Sequence, residues 1–245
     1  MLQSVALCSL TSAVSLAGAS LRFGPQLEYV HYSEPRVMDE KGPLAGVFGD
    51  CTVPLPGQAL FRVSASFVAG KLEYKSHPSL GLDLKTKTPN TIFDLRGEAG
   101  YGLTIGSCKL TPSIGIAYRL LVDDLPDVAA YQGYKREQAY YYVPLGLDLE
   151  LGAIGVWSCS ARAEYDLFLA GKNISGGQDI NQKSGWGAQA SVSLMRPIDF
   201  LGIDELTLVP FVQYWSIDRS EIGEGFFLEP KNNSSMVGLR IAVSL

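Results

Sequence analysis

Apolar and polar residues alternate with a period of two in ten successive segments between Phe23 and Leu245. The clearest is Val143-Pro144-Leu145-Gly146-Leu147-Asp148-Leu149-Glu150-Leu151, apolar at every odd position and carrying Asp148 and Glu150 at even ones. Successive side chains of a strand point to opposite faces, so one face of this segment suits an apolar medium and the other suits water or ion pairs. The pattern predicts strands at 23–32, 44–53, 59–74, 91–104, 109–121, 134–151, 156–170, 185–196, 206–217 and 235–245. Connections after the even strands are short: Pro54-Leu55-Pro56-Gly57, Gly106-Ser107-Cys108, Gly152-Ala153-Ile154-Gly155, and a somewhat longer stretch from Pro197 to Glu205. Those after the odd strands are longer and polar, from Glu34 to Pro43, Lys75 to Asn90, Val122 to Gly133, Gly171 to Ser184 and Asp218 to Ser234. An even strand count with alternating short and long connections predicts an all-β, closed antiparallel transmembrane β-barrel of ten strands. Closure leaves no unpaired strand edge in hydrocarbon, where each unsatisfied backbone group is costly. The expected location is a bacterial outer membrane, with loops extracellular and termini periplasmic.

Composition narrows the picture further. The chain has 245 residues, 47% of them hydrophobic, yet nothing after residue 20 approaches the run of about 18 apolar residues that a membrane helix requires. Its 26 glycines, 12 tyrosines and 10 phenylalanines favour strands, tight turns and interfacial rings. A net charge of −5, with no clustered Lys/Arg face, excludes nucleic acid as the expected partner. Met1 to Ser20 is apolar and rich in small residues, and Leu16-Ala17-Gly18-Ala19 has the small-x-small form of a cleavage site. Residues 1–20 are therefore expected to be a signal peptide and 21–245 the barrel domain. Cys51, Cys108 and Cys159 are an odd number after cleavage and are expected to be free, near the rim that carries the short turns.

The polar face of the alternation carries Glu28, Arg62, Asp94, Arg96, Glu98, Arg119, Asp148, Glu150, Arg162, Glu164, Asp166 and Arg240. Acids and arginines are nearly balanced, so in a narrow barrel they are expected to meet across the lumen as ion pairs and fill it. Aromatic residues fall in two groups. Tyr32, Tyr74, Phe93, Tyr118, Phe168, Trp186, Tyr214 and Trp215 lie at loop ends, and Phe23, Phe61, Tyr101 and Trp157 at turn ends. Two girdles at the membrane interfaces would account for them.

Signals for chemistry are sparse. The chain has two histidines, His31 and His77, both near the predicted outer rim, and neither belongs to an Asp-x-His pair. Asp123, Asp124 and Asp127 lack the ligand spacing of a calcium loop. No catalytic, metal or cofactor site is expected. Lys75, Lys85 and Lys87 in the second outer loop could touch lipopolysaccharide phosphates, which makes outer-membrane lipid and lipopolysaccharide expected partners.

Several phrases resemble those of a recurring group of proteobacterial outer-membrane β-barrel proteins, small and porin-like. They are Tyr32-Ser33-Glu34-Pro35 with Val37-Met38 and Gly42-Pro43-Leu44, and Tyr142-Val143-Pro144-Leu145-Gly146-Leu147. Glu164-Tyr165-Asp166, Pro210-Phe211 with Tyr214-Trp215-Ser216-Ile217, and Glu229-Pro230-Lys231-Asn232 complete the set. The final alternation, Val237, Leu239, Ile241, Val243 and Leu245, resembles the sorting signal read by the barrel assembly machinery, with Leu245 in place of a terminal aromatic residue. Because the first and last strands are neighbours at closure, Glu34, Pro35, Tyr214, Trp215, Glu229 and Pro230 are expected to form one extracellular rim patch for a surface ligand. The functional expectation is a surface-exposed scaffold or ligand-binding protein with a mostly occluded, charged lumen. A narrow porin-like channel for ions or small solutes is the alternative, and a rim enzyme the third reading.

Overall fold

The computed structural model describes residues 18–77, 84–106, 108–128, 132–198, 202–221 and 228–244 throughout, and the backbone of 199–200. The predicted signal peptide lies, up to residue 17, outside the described residues. Twelve strands form among the described residues: β1 (Ser20–Glu34), β2 (Met38–Pro54), β3 (Ala59–Ser76), β4 (Lys85–Tyr101), β5 (Leu103–Ile105), β6 (Cys108–Leu125), β7 (Tyr134–Ile154), β8 (Trp157–Ser175), β9 (Gln178–Gln182), β10 (Gly185–Phe200), β11 (Ile203–Ile217) and β12 (Asn232–Ser244). After Gly102, β5 continues β4 along β6, while β9 and β10 both pair with β8 as one interrupted strand. The wall therefore has ten spans. All are antiparallel, and β1 pairs with β12 to close the barrel.

All ten predicted strands are present, but most run further toward the loop end than the alternation suggested. The first predicted loop, Glu34 to Pro43, shrinks to a turn at Pro35-Arg36-Val37, where Arg36 adopts a left-handed φ of 69° and the Val37 amide donates to the Glu34 carbonyl. The fourth, Gly171 to Ser184, is a β8–β9 hairpin turning at Gly176-Gly177. Polar side chains on both faces hide such extensions from a search for alternating hydrophobicity.

Outward-facing residues set the membrane band. On β7 they run Tyr141, Val143, Leu145, Leu147, Leu149 and Leu151, and then toward the loop end Ala139, Glu137 and Lys135. The ten residue-to-residue steps of tilted strand from Tyr141 to Leu151 span about 25 Å, the height of an apolar barrel belt. Outward rings form the upper girdle: Phe93 meets Tyr118, Tyr118 meets Tyr141, and Trp186 stands between Tyr165 and Tyr214. Tyr32, Tyr74, Phe168 and Trp215, expected in that girdle, instead point inward and are buried.

Tight curvature brings neighbouring backbones close on the inner face. A Cβ at Gly46 would lie 1.8 Å from the Phe67 carbonyl oxygen, and one at Gly115 would lie 2.1 Å from that of Gly97. Only glycine admits such an approach.

Candidate functional site

The interior is layered along the barrel axis. In the half nearer the short turns lies a chamber of about 650 Å³, lined by charged residues, serines and a few apolar side chains. Its mouth carries Lys109 and Glu150, which pair at 3.0 Å and are both well exposed. Glu150, expected within the lumen network, thus belongs to the mouth. Deeper in, Arg162 gathers three carboxylates, bonding Asp148 at 2.7 Å, Glu164 at 2.6 Å and also Glu98. Arg62 reaches Asp148 at 3.3 Å, and Arg96 pairs with Glu164 and bonds the Gln189 amide oxygen at 3.4 Å. Arg22 and Asp50 add a pair at 3.0 Å. Arg119 binds Asp94 and the Gln213 oxygen, each at 3.1 Å.

Above the chamber the lumen is filled by rings. The Tyr142 and Trp215 rings meet edge to face with centroids 4.9 Å apart, Tyr140 stands against both Trp215 and Phe168, and Val30, Leu44, Val68, Leu72 and Ile92 complete the layer. Two arginines of the charged network cap it, Arg96 lying 5.7 Å from the Tyr142 centroid and Arg119 5.6 Å from that of Trp215. Charge alone was expected to close the lumen; an aromatic layer stands between two charged ones. An edge-to-face pair with cations on its faces satisfies ring quadrupoles that a dry apolar layer would leave unused.

A second charged layer lies on the loop side. Arg136 donates from Nε to Asp123 at 2.7 Å and from Nη1 to Glu34, with Glu229 3.8 Å away. The Tyr32 ring lies 5.0 Å from this guanidinium, and the Tyr32 hydroxyl donates to Glu34. Gln138 donates to both Tyr32 and Glu229, and Glu40 accepts from Thr88 at 2.8 Å. These groups are buried.

The expected rim patch does not exist as one surface. Glu34, Glu229 and Trp215 face the interior, whereas Tyr214 faces outward in the girdle and bonds Asn233 at 3.0 Å. Pro35 is exposed at the first turn, and Pro230 is half-buried beside Glu229. Phase explains the reversal: Glu34 lies an even number of residues beyond the inward Glu28, and Trp215 is in phase with Phe211 and Gln213. Of the predicted lumen set, Glu28 bonds Gln26, and Asp166 is fully buried next to Glu164 in the inward row without joining an ion pair among the described residues. Arg136, Gln138, Tyr140 and Tyr142 were missed, although they share the even phase of Asp148 on β7 and could have been found by extending it.

On the outer rim His31 and His77 both direct Nε2 at Asp39, at 3.6 and 2.8 Å. Asp123, Asp124 and Asp127 do not converge. Asp123 is held by Arg136, Asp124 faces out, and Asp127 accepts from the Gly133 amide. Lysines at the chamber mouth and on the outer wall divide into two groups. Lys109, Lys135, Lys172, Lys183 and Lys231 each pair with a carboxylate. Lys41, Lys71, Lys75, Lys85 and Lys87 form no ion pair among the described residues, and all five face outward on β2, β3 and β4 just beyond the girdle. Cys51, Cys108 and Cys159 form no disulfide among the described residues and lie toward the turn end.

A closed barrel with an apolar outer belt, an aromatic girdle and a charged interior has the architecture of outer-membrane barrel proteins. Among solved structures the chain is similar to the outer membrane protease OmpT from Escherichia coli, with TM-score 0.50 and 8% identity over 93% of this chain and 96% of that one. It is also similar, at TM-score 0.46 and 10% identity over 92% and 88%, to the translocator domain of the autotransporter NalP from Neisseria meningitidis. OprG from Pseudomonas aeruginosa follows at 0.40 and 11% over 93% and 95%. These likenesses concern fold. No family model matches the chain, and no curated protein matches it by sequence.

Proposed function

We propose that the protein is an integral barrel of a bacterial outer membrane, with termini periplasmic, that keeps its lumen sealed and serves as a scaffold holding its outer hairpins above the membrane. The observation that carries this reading is the aromatic layer of Tyr140, Tyr142, Phe168 and Trp215, in which Tyr142 and Trp215 are almost fully buried. A conducting pore needs a continuous aqueous path, which this layer opposes. Purified protein in planar bilayers is expected to give no stable single-channel openings; regular openings would favour the porin-like alternative.

The unpaired lysines of β2, β3 and β4 extend the proposal to a partner. Five lysines share this outward face with Glu73, opposite Lys41 and Lys87 in the strand register, and Asp39, opposite Lys75; the excess of cations immediately above an aromatic girdle suits the phosphates of an outer-leaflet glycolipid. Each lysine near an anionic surface contributes about 1 kcal/mol. Changing Lys75, Lys85 and Lys87 together to glutamine is therefore expected to weaken binding to vesicles bearing phosphorylated lipopolysaccharide on the order of a hundredfold. Equal binding of native and triple variant, or equal binding to dephosphorylated glycolipid, would refute the contact.

A further inference from the structure

Every arginine of the turn-side chamber except one is matched to a carboxylate. Arg22, Arg62, Arg96 and Arg162 have acid partners, whereas Arg240 has none among the described residues. Its surroundings hold the side chain rigidly. Nε donates to the Gln26 oxygen at 2.8 Å, and Gln26 is itself oriented by donating from Nε2 to Glu28 at 2.7 Å. The Arg240 guanidinium carbon lies 4.4 Å from the centroid of Phe211 and 5.6 Å from that of Phe48. Gly238, two residues before it on β12, makes room for the Phe211 ring, since a Cβ there would lie 2.4 Å from Phe211 Cζ.

With Nε engaged and aromatic rings beside the guanidinium, what remains is the edge bearing Nη1 and Nη2, neither of which has a hydrogen-bond partner among the described residues. A guanidinium edge presents two parallel N–H donors, matching a carboxylate or phosphate bidentately. Asp94, Glu28 and Asp50 lie close enough to act on this charge, but none is within ion-pair distance, so the Nη edge in the partly enclosed chamber is left for a further anion. We propose that Arg240 is the anchor of a binding site for a small organic anion, a carboxylate or phosphate ester, that enters the chamber from the turn end. The chamber's 650 Å³ lies within the range of about 300–1,000 Å³ typical of small-molecule sites. Ser66 and Ser191 on its walls offer hydroxyls to the polar part of such a ligand, and Leu60 and Val209 offer apolar contact. The site is independent of whether the lumen is sealed, and binding and conductance are separate readouts.

The test is isothermal titration of the folded full chain in nanodiscs with benzoate, phenyl phosphate, inorganic phosphate and the neutral benzamide. Benzoate or phenyl phosphate is expected to bind saturably at one site, with benzamide at least tenfold weaker. Arg240→Gln should lose at least tenfold, and Arg240→Lys, which keeps the charge but not the two-pronged edge, should fall between. Heat-modifiable gel mobility identifies folded variants, and Arg240→Lys against native decides the matter if the glutamine variant does not fold. Tight binding of inorganic phosphate alone would support the anchor and assign the site to the free ion. Absence of saturable binding by all three anions, equal affinity for benzamide, or unchanged affinity in the folded Arg240 variants would overturn the proposal.

Discussion

Arg136→Met is expected to lower the unfolding free energy by about 3–5 kcal/mol, the range for removing one partner of a buried ion pair. Methionine fills a similar volume, so the loss comes from charge and not from a cavity. Arg136 is 3% exposed and joins Asp123, Glu34 and Glu229, with Glu40 buried in the same layer. Without the guanidinium, these carboxylates face one another in a site with little water. Burial and the neighbouring carboxylates push Glu40 and Glu229 up to about 7, and protonation removes the repulsion, so the deficit should narrow as pH falls below neutral. Urea unfolding of native and variant protein in lipid vesicles, at neutral and acid pH, measures both effects. A deficit near the roughly 0–1 kcal/mol of a surface salt bridge would mean that solvent already screens the cluster.

Trp215→Ala combined with Tyr142→Ala is expected to turn a silent barrel into one that conducts. The two residues are 1% and 0% exposed and touch edge to face, so truncating both removes the centre of the layer that separates the chamber from the loop side. Large aromatic-to-alanine changes cost about 3–5 kcal/mol each in a soluble core, and neighbours are not additive. Hydrogen bonding around the closed wall is untouched, so the barrel is expected to survive. The loop-side layer above carries four carboxylates against one guanidinium, and openings should therefore favour cations. Planar bilayer recording with asymmetric potassium chloride gives both conductance and selectivity. A silent double variant would locate a second seal in the loop half, where Tyr32, Met38, Tyr74 and Leu84 cluster.

The apolar face of the alternation was legible because lipid demands it. Leu145, Leu147 and Leu149 alternate with Gly146 and Asp148, and no other placement satisfies both faces. The same rule put Arg62, Arg96, Arg162 and Glu164 on the inner face, where they join the ion pairs of the chamber. It failed above the girdle, where both faces are polar or aromatic. There Glu34, Trp215 and Glu229 were assigned to the surface, although strand phase carries Glu34 and Trp215 inward.

Period-two patterning thus settled the all-β class, the ten spans and the lipid-facing wall, because each follows from the local geometry of a strand and the solvent on either side. The identity of partners across the lumen did not follow. Arg96 meets Glu164 across 68 positions and Arg136 meets Glu34 across 102, encounters set by the tilt and stagger with which the strands close. Closure also decided that rings would fill the lumen between two charged layers and that, among the described residues, Arg240 alone of the chamber's arginines would have no acid within ion-pair distance. Those outcomes depend on side chains from distant strands reaching the same height in the barrel, a property of the closed wall that no single strand contains.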